Sequence, residues 1–168
     1  MSNTTPHIVS RIFNAPRELV WKANTEPERM ARWFAPGDFE SKVKTMDLRP
    51  GGICHYFQRS PDGKQEMWGI MTYEEVRPID RLVFNQSFCD AEGNIIAHPI
   101  SPTWPRVMHS VITFDDLGDD RTRITVEWTP HEATPEEIAT FDAARGGIDQ
   151  GWKAVWDKLD EFLLAEQA

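Results

Sequence analysis

Residues 148–164 carry an apolar stripe that only a helix can bring together. At about 100° per residue, Ile148, Trp152, Val155, Trp156, Leu159, Phe162 and Leu163 fall within an arc of roughly 120°, and Lys153, Asp157, Asp160 and Glu161 lie outside it. The preceding residues read largely as strands. A single long helix with one greasy face must therefore pack on a sheet, which sets an α+β class. A curved antiparallel sheet and one terminal helix leave an apolar space between them, where a small molecule can sit.

At 168 residues the chain is sized for a single domain, 1–168, with residues 1–6 as a loose tail. The net charge of −9, from 18 Lys and Arg against 27 Asp and Glu, opposes a nucleic-acid or anionic-membrane partner. The opening Met1-Ser2-Asn3-Thr4-Thr5-Pro6 has neither the basic nor the apolar part of a secretory signal, and no segment is apolar enough to span a bilayer. A cytoplasmic location is expected. Cys54 and Cys89 are the sole cysteines and form no C-x-x-C pair, so they read as buried, reduced thiols.

Residues 7–14 read as a first strand, and Ala15-Pro16 opens a helix over about 17–23. Thr25-Glu26-Pro27-Glu28 has the form of a capping box ahead of Met30, Trp33 and Phe34, so a second short helix is expected there. From Phe39 the period becomes two. Turn signals at Pro50-Gly51-Gly52, Ser60-Pro61-Asp62-Gly63, Pro78-Ile79-Asp80 and Leu117-Gly118-Asp119-Asp120 divide a meander. Strands are predicted near 39–48, 53–59, 65–76, 81–89, 106–115 and 121–129, with antiparallel neighbours because the connections are short. The last is clearest, since Ile124, Val126 and Trp128 alternate with Arg123, Thr125 and Glu127.

The connection at 90–105 is long, with Pro99, Pro102, Pro105 and Trp104, and reads either as a lid or as a surface excursion anchored by Trp104. Thr134-Pro135-Glu136-Glu137 combines a capping box with Pro at the first helical position, starting a helix to about Ala144. Gly146-Gly147 should then break it, with the terminal helix resuming near Ile148.

Four stretches, in this order and spacing, resemble a known family: Phe13-Asn14-Ala15-Pro16-Arg17-Glu18-Leu19-Val20-Trp21, Glu26-Pro27-Glu28-Arg29-Met30-Ala31-Arg32-Trp33-Phe34, Arg49-Pro50-Gly51-Gly52 and Gly147-Ile148-Asp149-Gln150-Gly151-Trp152. The sequence is similar, from about residue 8 to 164, to the START-related helix-grip superfamily (SRPBCC). Within it the stretches are similar to the branch named after the C-terminal domain of the activator of the heat-shock chaperone ATPase. The resemblance implies a helix-grip fold: a curved antiparallel sheet of six or seven strands, two short helices after the first strand, and a long C-terminal helix across the concave side. Relatives include lipid and hormone carriers, pollen allergens and polyketide cyclases, so the ligand is not implied. The branch name suggests a co-chaperone, a role disfavoured because the chain has no room for the activator's additional N-terminal domain.

Gly146 and Gly151 have the outer spacing of a phosphate loop, but Trp152 stands where that loop needs Lys, and no G-x-G-x-x-G or G-x-S-x-G occurs. No cofactor is called for. Metal ligation would need Cys54, His55, Cys89 and His109 to converge, yet adjacent Cys54 and His55 point to opposite faces of one strand, so no metal is expected. His55 and His109 remain weak candidates for acid–base catalysis, and His109 fails if Met108, Ser110, Ile112 and Phe114 face inward.

Seven tryptophans are the better signal. Phe57, Trp68, Phe84, Gln86, Trp128, Trp152 and Trp156 are the candidate ligand contacts, on elements expected to meet round a cavity. Gly151, beside Trp152, is expected to leave volume or let the helix approach the sheet. The function expected is a carrier or sensor for a small hydrophobic or aromatic molecule. Alternatives are a cyclase or dehydratase using a cavity histidine, with Gln86 orienting a carbonyl, and a chaperone-binding protein. A homodimer through an open sheet edge is compatible with the chain.

Overall fold

A computed structural model describes residues 4–168. Seven strands, β1 (His7–Phe13), β2 (Glu40–Met46), β3 (Ile53–Arg59), β4 (Glu66–Arg77), β5 (Arg81–Cys89), β6 (Met108–Gly118) and β7 (Arg121–Pro130), form one sheet in the order β1-β7-β6-β5-β4-β3-β2. Every pairing is antiparallel. From β2 to β7 each strand pairs with the next in sequence, and β1 closes on β7. Register shifts at Val43/Thr45 and Tyr73/Glu75 bend the sheet, as an extra residue on one strand does.

Helix α1 (Arg17–Thr25) and helix α2 (Pro27–Met30) lie between β1 and β2; α3 (Pro135–Ala143) and α4 (Arg145–Glu166) follow β7. The capping box expected at Thr25 does not form. Thr25 is the last residue of α1, and its hydroxyl donates to the Trp21 carbonyl at 2.8 Å. The residue before a proline is driven out of the helical region, so extended Glu26 separates the two helices. The box at Thr134 forms in full: the Glu137 amide donates to Thr134 Oγ1 at 3.1 Å, and Glu137 Oε1 accepts from the Thr134 amide at 2.9 Å.

The break between the last two helices falls at Ala144, one residue before α4 begins, so Gly146 and Gly147 sit inside its first turn. First-turn amides have no intrahelical partner, so glycine disturbs the helix least there. The loose tail expected at 1–6 falls partly outside the described residues, at 1–3. Within it, Arg145 donates to Thr4 Oγ1 at 2.9 Å and to the Thr5 carbonyl at 2.6 Å.

Strand alternation assigns the two faces. Ile124 and Val126 on β7, Ile112 and Phe114 on β6, Leu82 and Phe84 on β5, Met71 and Tyr73 on β4, and Cys54 and Tyr56 on β3 all face the helices and are buried. Against them α4 buries Ile148, Trp156, Leu159, Phe162 and Leu163, with Trp152 and Val155 partly covered. The stripe read from sequence is thus the contact surface of the helix. This is the helix-grip α+β arrangement. Gly151 lies on the outer side of α4 with open space where a side chain would be, so it neither makes volume inside nor brings helix and sheet together.

Candidate functional site

Between the concave sheet face, α4 and the α1–α2 segment lies a void of about 40 Å³. Trp152 and Trp156 on α4, Phe84 and Ile112 on the sheet, and Trp33 and Phe34 beyond α2 form much of its wall. A single water needs roughly 10–15 Å³ by this measure, whereas a drug-sized ligand occupies some 300–1,000 Å³. The void therefore has room for a few waters, and a larger guest would have to part its walls.

The polar side chains on this wall are Asn24, Tyr73, Gln86 and Ser110, all uncharged types. Asn24 Nδ2 donates to the Val20 carbonyl at 2.8 Å, and Gln86 Nε2 donates to Tyr56 Oη at 2.7 Å. Burial pushes the Tyr56 and Tyr73 phenols up from the ordinary value of 10.0, and pushes the nearby Cys54 thiol up to about 12. All three stay neutral at physiological pH. The site therefore offers hydrogen bonds and aromatic faces without fixed charge.

Tyr56 reaches Gln86 because Gly69 lies opposite it in the β3–β4 register. A side chain at Gly69 would begin 2.4 Å from the Tyr56 ring and hydroxyl, so only a bare backbone lets the ring lie flat across β4. Ser110 is similarly placed by register, opposite Trp128 and in phase with Ile112 and Phe114. Tyr56, Ser110 and Asn24 were not singled out from sequence. The phase of β6 would have found Ser110; Asn24 depends on how α1 docks, which has no local signal.

Of the residues read as ligand contacts, Phe84, Gln86, Trp152 and Trp156 line the void, and Trp128 adjoins it. Phe57 and Trp68 do not join them. They pair with each other across β3 and β4 on the convex face, ring centroids 4.7 Å apart, under Lys44 and Arg59. Both histidine candidates lie on that face too. His55 stacks on Trp68 at 4.9 Å and its Nε2–H donates to the Asp90 carbonyl at 3.1 Å, whereas His109 Nδ1–H donates to Asn85 Oδ1 at 2.9 Å. Strand alternation is the reason: Met108, Ser110 and Ile112 point inward, which turns His109 outward. No group of three or more His, Cys, Asp or Glu placed to hold a metal occurs among the described residues.

The long connection after β5 touches both faces. Its first turn covers His55, with Gly93 against the imidazole. Its far end inserts Trp104 between Trp128, at 5.9 Å, and Phe141 of α3, at 6.0 Å. Between them His98 packs on Phe88, and its Nδ1 accepts from the amides of Ile100 and Ser101, both at 3.0 Å. Trp104 thus closes one end of the space between sheet and helices. No helix among the described residues is long and apolar enough to cross a membrane.

Solved structures share this arrangement. Protein Ms6760 from Mycobacterium smegmatis is 25% identical and superposes with a TM-score of 0.75, over 93% of this chain and 88% of that one. Protein NE0264 from Nitrosomonas europaea, also 25% identical with a TM-score of 0.75, matches over 99% of both chains. A protein from Arthrobacter aurescens gives 25% and 0.76, over 94% of this chain and 85% of that one. No curated protein sequence matches. Residues 14–164, which span the fold from the end of β1 to within two residues of the end of α4, match the family described as Activator of Hsp90 ATPase homolog 1-like protein, and the chain belongs to that family.

Proposed function

We propose that the protein is a single-domain carrier or sensor that holds a small hydrophobic or aromatic molecule between the sheet and α4. The observation that supports this most is the uncharged, tryptophan-walled void at the point where α4 crosses the sheet. A guest larger than the void enters by displacing Trp104, which the long connection after β5 packs on Trp128 and Phe141. Apolar surface covered on binding then drives association, at about 25 cal/mol per Å² before ordering costs.

Titration with neutral lipophilic probes, starting from 2-ethylnaphthalene and read by tryptophan fluorescence and thermal shift, tests the proposal. Saturable quenching with a raised Tm is expected, and Trp152→Ala should abolish both. No saturable response to any probe would overturn it. Acid–base chemistry would have to use His55 or His109 from the convex side, on the far face of the sheet from the void. The family's name speaks of chaperone-ATPase activation, and a pull-down with the chaperone tests that reading separately.

A further inference from the structure

Resting on that binding reading, we propose that the ligand is uncharged and carries a hydrogen-bond acceptor oxygen on a flat apolar body, with the Trp128 indole N–H as the donor that selects it. Trp128 Nε1 is fully buried and has no hydrogen-bond partner among the described residues. Buried donors are almost always paired, so an orphan invites an acceptor from outside the chain. Its ring neighbours are aromatic: Trp104 at 5.9 Å, Trp152 at 6.1 Å and Phe141 at 6.4 Å. Trp128 and Trp152 pack against both apolar clusters of the protein, so they stand where the main core meets the smaller cluster under Trp104. Two neighbours of Trp128 line the adjoining void: Ser110, its cross-strand partner, and Trp152, its ring neighbour on α4.

Charge is excluded by the neutral lining of the void and by the prior pairing of the ionisable groups nearest the donor: His7, opposite Trp128 on β1, meets Asp149 at 2.7 Å, and Arg145, over the Phe141 ring, meets Asp142 at 2.9 Å. Tyr73, Gln86, Ser110 and Asn24 supply the polar atoms of the void, and none is a base or a cation that would pair with a carboxylate. An ionised ligand would give up its hydration for one neutral N–H. A pure hydrocarbon would fill the space yet leave that N–H orphaned. A ketone, ester or ether oxygen beside a fused or planar ring system satisfies both demands, the ring lying among the tryptophans.

The test is equilibrium dialysis of the full chain against 2-acetylnaphthalene, 2-ethylnaphthalene and 2-naphthoate at pH 7.5. The ketone should bind about tenfold more tightly than its ethyl counterpart, the size of one hydrogen bond to a buried donor, with naphthoate weakest. Trp128→Phe, which keeps an aromatic ring and removes the N–H, should bring ketone and ethyl compound to equal affinity. Independently of that variant's folding, the assigned Trp128 indole N–H resonance of the unmodified chain should move downfield with the ketone and not with the ethyl compound. Equal affinities in the unmodified chain, a gap that survives Trp128→Phe, an unmoved indole resonance, or naphthoate binding as tightly as the ketone would each overturn the inference. Binding of 2-ethylnaphthalene without any gain for the ketone would sink this inference alone. Failure of both neutral compounds to bind would take the carrier reading with it.

Discussion

A methyl group added at Gly69 would meet the Tyr56 ring at 2.4 Å, and that ring belongs to the buried Tyr56–Gln86 hydrogen bond. Gly69→Ala should therefore push the ring off β4, cost about 1–3 kcal/mol by overpacking, and be read as a lowered urea midpoint. His98 carries a second prediction at this scale. Its Nδ1 accepts two backbone amides, a role open only to the neutral ring, and burial lowers its pKa from the ordinary 6.5. A base whose folded value is lowered contributes stability above pH 6.5, and that contribution is lost as pH falls from there through the lowered folded value. Thermal unfolding at pH 7.5 and pH 5 should show an acid-side loss that shrinks in His98→Asn, whose side-chain carbonyl accepts the same amides without titrating. Neither residue was legible as such. Gly69 acquires its meaning from a partner thirteen positions away across the ladder, and His98 from backbone amides whose positions depend on the loop.

At the scale of elements, α4 carries glycines with no structural demand on them. Gly147 and Gly151 are exposed, have open space at the Cβ position and do not need a positive φ. Gly151→Ala should raise stability by about 1 kcal/mol, and Gly147→Ala by less because it lies in the first turn; urea unfolding reads both. Thr134→Ala should cost about 1 kcal/mol by removing the side-chain acceptor of the α3 cap. The two candidate capping boxes show what local pattern conveys and what it omits. Both have a hydroxyl residue three positions before Glu, but Pro27 extends Glu26 and hands the helix start to it, whereas Pro135 follows Thr134 itself and extends the capping residue. The terminal helix and the seventh strand were readable because each has one apolar face. Strands β3 and β4 were not: Ile53, Phe57, Trp68 and Ile70 make their convex face apolar as well, so alternation alone could not say which side meets α4.

For the whole molecule, the grip follows from simple bookkeeping of faces, since one curved sheet and one long stripe must cover each other. The sheet separates two aromatic groups that sequence reading had merged, Trp152 with Trp156 inside and Phe57 with Trp68 outside. Their separation makes the site assignment directly measurable, because a ligand held between sheet and α4 touches the first pair and cannot touch the second. Intermolecular nuclear Overhauser contacts from bound 2-ethylnaphthalene to the assigned aromatic protons decide it. Contacts to Trp152, Trp156 and Phe84 are predicted; contacts confined to Phe57 and Trp68, or the absence of a bound state, would contradict the account.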